Sequence, residues 1–340
     1  MSSHSAQSRV EDLNWLITGG CGFIGRALIS DLMARGVPTG RIRILDNLTV
    51  GRSEDLAKVA PHRNDGDWTT AAAGIGLFVG DIRDGSATQR AASGADVIVH
   101  LAACTGVQPS VEDPRFDCET NVMGTLNCLE AARTGGARRF IMASSGAPLG
   151  DVEPPIHENL VARPVSPYGA SKLAGEAYCS AYYHCFGIET VALRFGNVYG
   201  PLSTHKSSIV AKFTRNALDG HPLEIYGDGT ASRDYIFVGD LADAIARAAT
   251  VPDLGGEVFQ IATARETTVA EVTEALRAVL KSRGVPDIEV IYSAKRKGDM
   301  PRNYSDTTKA RERLQWTART PLATGLERTV DWFLQQRKSA

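Results

Sequence analysis

The sequence lacks an excess of either charge sign: 37 Lys and Arg face 39 Asp and Glu, for a formal net charge of −2. Such a chain has no broad basic surface to neutralise a phosphate backbone, so nucleic acid is not expected as a partner. No stretch reaches the ~18 uninterrupted apolar residues that a membrane helix needs. Residues 1–15 also lack the basic-then-apolar pattern of a secretion signal, so the expectation is a cytoplasmic protein with no membrane partner. Six cysteines are present (Cys21, Cys104, Cys118, Cys128, Cys179 and Cys185), yet none forms a C-x-x-C pair. They are expected as reduced core thiols rather than disulfides, and no metal site is expected. Internal repeats, low-complexity tracts and Gly/Ser linkers are absent as well.

What is present belongs to a large globular chain: 340 residues, 43% hydrophobic and 22% charged, enough for two packed parts. Over the first 145 residues short apolar runs alternate with helical stretches, the pattern of βα units on a parallel sheet. The spacing predicts strands at 13–18, 42–46, 76–79, 97–101 and 139–143, and helices at 23–35, 53–59, 86–92 and 119–133. Residues 61–73 read as a polar surface loop. Beyond them a helix is predicted over 167–186, a strand over 189–195 and a helix over 208–218. Thr268-x-x-Glu271 opens a further helix over 268–283 as a capping box, and Gly284 and Pro286 close it. A strand over 288–292 follows, then a terminal amphipathic helix carrying Leu322, Leu326, Val330 and Phe333. The fold class is α/β: a Rossmann-like doubly wound parallel sheet with a smaller C-terminal α/β domain.

Directly after the first strand comes Thr18-Gly19-Gly20-Cys21-Gly22-Phe23-Ile24-Gly25, which opens the first helix. Glycines at this junction permit a tight turn, close approach of the backbone to a pyrophosphate and close helix packing, while the helix start favours an anion. Asp46 lies 21 residues after Gly25, at the end of the second strand, where a carboxylate can hold an adenosine ribose and repel a 2′-phosphate. NAD is therefore expected over NADP. Asp81, just past the third strand, is placed to meet the adenine edge.

Pro167-Tyr168-Gly169-Ala170-Ser171-Lys172 puts a phenol and an ammonium one helical turn apart on one face. A tyrosine with a pKa of about 10 is a poor base at neutral pH, and a neighbouring cation favours its phenolate. Ser145, at the end of the fifth strand, would reach the same substrate hydroxyl. Tyr and Lys at this spacing also occur by chance, but the glycine loop, the Ser144-Ser145 pair and the Tyr-Lys helix in this order point to one active site.

These segments, with Asp46-Asn47-Leu48, Gly80-Asp81-Ile82, His100-Leu101-Ala102-Ala103 and Asn121-Val122-Met123-Gly124-Thr125, resemble the extended short-chain dehydrogenase/reductases. Leu193-Arg194-Phe195-Gly196-Asn197, Arg233-Asp234-Tyr235 and Arg296-Lys297-Gly298-Asp299 continue the likeness to the NAD-dependent nucleotide-sugar epimerase/dehydratase family, over almost the whole chain. The resemblance implies Ser145, Tyr168 and Lys172 as catalytic residues. It implies NAD held by Gly19, Gly22, Phe23, Ile24, Gly25, Asp46, Asn47, Asp81, Ile82, Leu101, Ala102, Ala103, Asn121, Tyr168 and Lys172. It implies a nucleotide-sugar held by Ser144, Ser145, Asn197, Arg233, Arg296 and Asp299, with both arginines near the diphosphate. The implied division is an NAD-binding domain over 10–196, rejoined by 236–262, and a nucleotide-sugar domain over 197–235 and 263–335. A homodimer through the helix near Asp117 and the Tyr168 helix is implied too.

The subfamily most resembled is UDP-hexose 4-epimerase, with UDP-glucose, UDP-glucuronate and the N-acetyl forms all candidate substrates. Relatives that remove water across C4–C6 carry an Asp-Glu pair after this serine or threonine. Gly146 and Ala147 stand there instead and have no proton to give a leaving hydroxyl. Leu149 replaces an aromatic of many relatives, and Asn303 falls where relatives vary with the admission of an N-acetyl group. Two other readings stay open: decarboxylation or 5,6-dehydration through the same 4-keto sugar, and a redox-sensing module that binds NAD without turnover.

Overall fold

The computed structural model describes residues 9–64, 74–295 and 301–338. Arg296 and Asp299, and most of the expected 61–73 loop, lie outside the described residues.

Eight strands form one sheet in the order Glu257–Ile261, Glu189–Phe195, Arg139–Ser145, Val97–His100, Trp15–Thr18, Ile42–Asp46, Ile75–Val79 and His62–Arg63. Every neighbouring pair runs parallel. Strand alternation sends Trp15 and Ile17 to one apolar layer and Leu16 to the other, so both faces are covered. Helices Phe23–Ala34 and Val238–Thr250 pack together over the first face. Helices Gly85–Ala92, Gly124–Gly135 and Pro167–Phe186 cover the second. The remaining strands form three two-stranded pairs, and a third apolar cluster joins Tyr199, Phe213, Leu223, Leu276, Leu326 and Val330.

Local chemistry sets the element ends. Asp84 accepts hydrogen bonds from the Ser86 and Ala87 amides to start its helix, and Thr268 and Glu271 cap each other reciprocally. The long helix opens on Ser166, whose side chain accepts from the Gly169 amide, with Pro167 in its first turn. It closes on Gly187 at φ 73°, where the left-handed conformation suits glycine.

Several expectations change. The 119–133 helix starts earlier: Pro114–Cys118 leads into a π-helical turn at Glu119–Met123 and then Gly124–Gly135. His62–Arg63, expected as loop, forms a short edge strand on Ile75–Val79. The Val238–Thr250 helix and the Glu257–Ile261 edge strand were not expected as elements. Cys21, Cys128 and Cys179 are buried free thiols, whereas Cys118 and Cys185 are exposed, so the core reading fails for those two. Among the described residues no helix is long and apolar enough to cross a membrane.

Candidate active site

The first strand lies between Ile42–Asp46 on one side and Val97–His100 on the other. Connections leave it in opposite directions, and an open α/β sheet forms a crevice at the carboxyl ends of its strands there. The glycine loop, Asp46, Asp81, Leu101 to Ala103 and Ser145 all sit at these carboxyl ends.

Backbone packing explains the glycines. Gly19 has φ +70°, and a Cβ on it would lie 2.8 Å from the Ala102 amide nitrogen. A Cβ on Gly25 would lie 2.6 Å from the Gly20 Cα, which keeps helix and loop in close contact. Gly22 differs: a Cβ there would meet only the Gly19 carbonyl, at 3.2 Å, so its other side is open at the start of the Phe23–Ala34 helix. That open cradle on a helix N-terminus fits a pyrophosphate. Phe23 and Ile24 pack on the adjoining core.

Asp46 is buried and braces this loop. One carboxylate oxygen accepts the Cys21 amide at 2.9 Å and the other the Leu48 amide at 2.8 Å. Burial raises its pKa while both amides oppose that shift. Each oxygen keeps a lone pair for a ribose hydroxyl. The Asn47 amide group donates to Asp81, and the Arg83 fork also binds Asp81, whose pKa is thereby lowered to about 2. Arg83 in turn lies over the Phe116 ring. The Ile82 side chain is core, packed under Gly124.

Burial of the Tyr168 phenol raises its pKa, and the Ser145 hydroxyl opposes that rise. Lys172 is 4% exposed and donates from Nζ to the Ala143 carbonyl at 3.0 Å. Desolvation lowers its pKa to about 8. His100 hydrogen-bonds Thr18 at 2.8 Å and Thr125 at 3.0 Å, and burial holds it neutral with a pKa of about 3. Asn121, also buried, clamps the Cys104 backbone by accepting its amide and donating to its carbonyl, and donates further to Asp117 and Ser171.

Ser144 is not brought to the crevice. Alternation along the strand turns it to the opposite face from Ser145, where it donates to Glu176 at 2.5 Å. Glu176 is held by both arms of Arg194, at 2.8 and 2.7 Å, in a buried pair that ties the Tyr168 helix to the next strand. Asn197 is exposed just beyond that strand and pairs with Tyr235, two residues after the half-buried Arg233. Arg233 donates to the Ser232 carbonyl. Leu149 is fully buried, while Asn303 lies beside Gly146, the residue after Ser145: a Cβ on Gly146 would be 3.7 Å from its side-chain nitrogen. Asp117 was not among the expected site residues. Its i, i+4 spacing to Asn121 was the available signal.

Fold and crevice together define a dinucleotide-dependent enzyme of the Rossmann type. The profile of the NAD dependent epimerase/dehydratase family matches residues 15–262, and the chain belongs to that family. It is 37% identical to a UDP-glucose 4-epimerase of Mycolicibacterium smegmatis over 323 residues, which cover 94% of this chain and 97% of the relative. A dTDP-glucose 4,6-dehydratase of Streptomyces niveus is 32% identical, covering 95% and 93%. A crystal structure of UDP-glucose 4-epimerase with UDP-glucose from Thermotoga maritima superposes with a TM-score of 0.84 at 32% identity, covering 96% and 100%.

Proposed function

We propose that this protein is an NAD-dependent UDP-hexose 4-epimerase, acting on UDP-glucose/galactose, UDP-glucuronate/galacturonate or UDP-GlcNAc/GalNAc through a transient 4-keto sugar. The observation that carries this reading is the buried Tyr168 phenol acted on by the Ser145 hydroxyl and one helical turn from the buried Lys172 ammonium, at the sheet edge that also carries the open Gly22 cradle. Tyr168 takes the proton from the sugar O4 hydroxyl, and Ser145 holds that oxygen in place. Lys172, one turn along the same helix, brings a positive charge of the sign that favours the phenolate. NAD held in this crevice would supply the reversible hydride acceptor that oxidation and re-reduction at C4 require, with no net redox change. The Gly19 to Gly25 loop holds its pyrophosphate, Asp46 a ribose and Asp81 the adenine edge, with Tyr168 and Lys172 at the nicotinamide end.

Asn197, Arg233, Arg296 and Asp299 are assigned to the nucleotide-sugar, with the arginine forks suited to paired phosphate oxygens. The cofactor part comprises 10–196 with 236–262, the sugar part 197–235 and 263–335. Gly146 and Ala147 speak against 4,6-dehydration, since neither side chain can protonate a leaving hydroxyl. The protein works in the cytoplasm as a homodimer. Exposed Val107, Val111, Phe116 and Met123 on the successive segments Val107–Glu112, Pro114–Cys118 and Glu119–Met123, with Tyr178 and Phe186 on the Tyr168 helix, support that pairing.

Incubation with a panel of UDP-sugars, read by NMR, tests the reading. Interconversion of C4 epimers at constant mass is expected, and loss of CO₂ or water would overturn it. Tyr168→Phe is expected to keep bound NAD while conversion falls by at least about 10²-fold, as for loss of a general base. Wild-type turnover in that variant would remove Tyr168 from the reaction.

A further inference from the structure

Arg26 belongs to the Phe23–Ala34 helix that starts at the Gly22 cradle, and although charged it is only 2% exposed. Its Nη2 donates to the Leu202 carbonyl at 2.7 Å, and its Nε to the Gly22 carbonyl at 3.4 Å. Its Nη1 faces Asp55, on the Ser53–Ala57 helix, at 3.9 Å. A buried guanidinium needs such partners, and here they come from three separate segments. Residues 200–206 form a strap between the Asn197–Tyr199 strand and the Ile209–Leu218 helix. Arg26 grips this strap from the helix of the cradle. Arg215, on the Ile209–Leu218 helix that packs into the third apolar cluster, donates to the Thr204 carbonyl at 2.9 Å and the Lys206 carbonyl at 2.8 Å. Between those carbonyls stands His205, whose Nε2 is 3.1 Å from Asp55. Leu202 sits at φ 58–70° territory for glycine, at 70°, a conformation that a bulky residue keeps only where its surroundings dictate it. The Arg26 bond and packing on the apolar layer of Leu28 and Ile29 do so here.

We propose that Arg26 is a positioning residue that fixes the 200–206 strap to the cofactor cradle, so that the strap transmits binding between the dinucleotide and nucleotide-sugar sites. Asn197, assigned to the nucleotide-sugar, lies just before the strap, and Gly22 lies at the cradle itself. Ordering the strap from one site lowers the cost of ordering it from the other, and the effect is reciprocal. The part played by the nucleotide-sugar rests on the epimerase reading, whereas the grip of Arg26 on the strap does not.

Arg26→Met removes the grip yet leaves Asp55 with His205 at 3.1 Å and Lys58 at 3.6 Å, so no buried charge is stranded. Holoenzyme is loaded with radiolabelled NAD, and its exchange into excess unlabelled NAD is timed with and without saturating UDP, whose binding is followed by titration calorimetry. In the wild type UDP is expected to slow NAD release at least about fivefold, a common size for coupling between sites. In Arg26→Met, release without UDP is expected to be about tenfold faster, the weight of one hydrogen bond from a charged donor, and UDP to change it less than about twofold. Hydrogen exchange read by mass spectrometry is expected to quicken over 200–208 and stay unchanged over 167–186, which separates a freed strap from general loosening. A variant with wild-type exchange over 200–208, or one whose NAD release UDP slows as in the wild type, overturns the proposal. So does a wild type that binds UDP with no change in NAD release. Should Arg26→Met not fold, Arg26→Gln is read the same way. If the wild type binds no UDP, the epimerase reading fails, while strap exchange and UDP-free NAD release still judge Arg26.

Discussion

Consider Glu176→Gln, a substitution that changes one atom and one charge beneath the Tyr168 helix. In the native protein Glu176 meets Arg194 through two hydrogen bonds at 2.8 and 2.7 Å, and the side chains are 3% and 5% exposed. The glutamine leaves the guanidinium charge with no counterion in a region that water does not reach. Removing one partner of a buried pair costs about 3–5 kcal/mol, because the other charge stays behind. An unfolding entropy of about 2.1 cal/mol/K per residue, taken over 340 residues, is about 0.7 kcal/mol/K, so Tm is expected to fall by about 4–7 °C. The double variant Glu176→Met with Arg194→Met removes both charges and is expected to recover most of that loss, since apolar replacement of a buried pair is close to neutral. Scanning calorimetry at pH 7 measures all three proteins. A single variant melting within about 1 °C of the wild type would refute the claim that this pair is a dry, tightly balanced unit.

Two further expectations follow from the same crevice. His100 has a folded pKa of about 3 against 6.5 for the free side chain. The folded state therefore binds fewer protons than the unfolded one between these values, so stability is complete above about pH 6.5 and is lost as pH falls toward 3. By pH 5 this group alone removes about 2 kcal/mol, and calorimetry of His100→Gln at pH 7 and pH 5 should show a flatter slope than the wild type. An equal slope in both proteins would exclude His100 as the source. Asn303→Tyr places a ring beside Gly146 and is expected to lower kcat/KM for UDP-N-acetylhexosamines at least about tenfold more than for UDP-glucose, as a steric clash in a closed pocket does. Parallel kinetics on the two sugars decide it, and equal losses would count against a role for Asn303 in sugar choice.

Much of the architecture is legible in the sequence because strong periodicity and turn chemistry agree. The Ile42–Asp46 and Glu189–Phe195 strands and the Pro167–Phe186 helix have the expected bounds. The His62–Arg63 strand is too short for a two-residue alternation to show, and tertiary pairing alone creates it. The Val238–Thr250 helix begins directly after Tyr235–Phe237, with Phe237 as its cap and no side-chain capping bond. No start signal marks it. At the site, the glycine loop and the Tyr-Lys spacing were readable because each follows from local geometry. Ser144 was misplaced because the strand was expected to stop at residue 143. It runs to Ser145, and a strand that continues must send adjacent serines to opposite faces. The Glu176–Arg194 pair and the reach of Asn121 to Ser171 join separate elements, 18 and 50 residues apart, which no local pattern reveals.

The Glu257–Ile261 strand has a last consequence. It is hydrogen-bonded to Glu189–Phe195 at the sheet margin, and the Val238–Thr250 helix before it lies over one sheet face. A chain cut after the first 196 residues would keep every glycine of the loop and all three of Ser145, Tyr168 and Lys172. Yet it would bare the backbone donors and acceptors of Glu189–Phe195 and uncover Leu28, Ile29 and Leu32. Such an unprotected margin recruits other chains, so the amino-terminal portion is not a fragment that can be excised and handled alone.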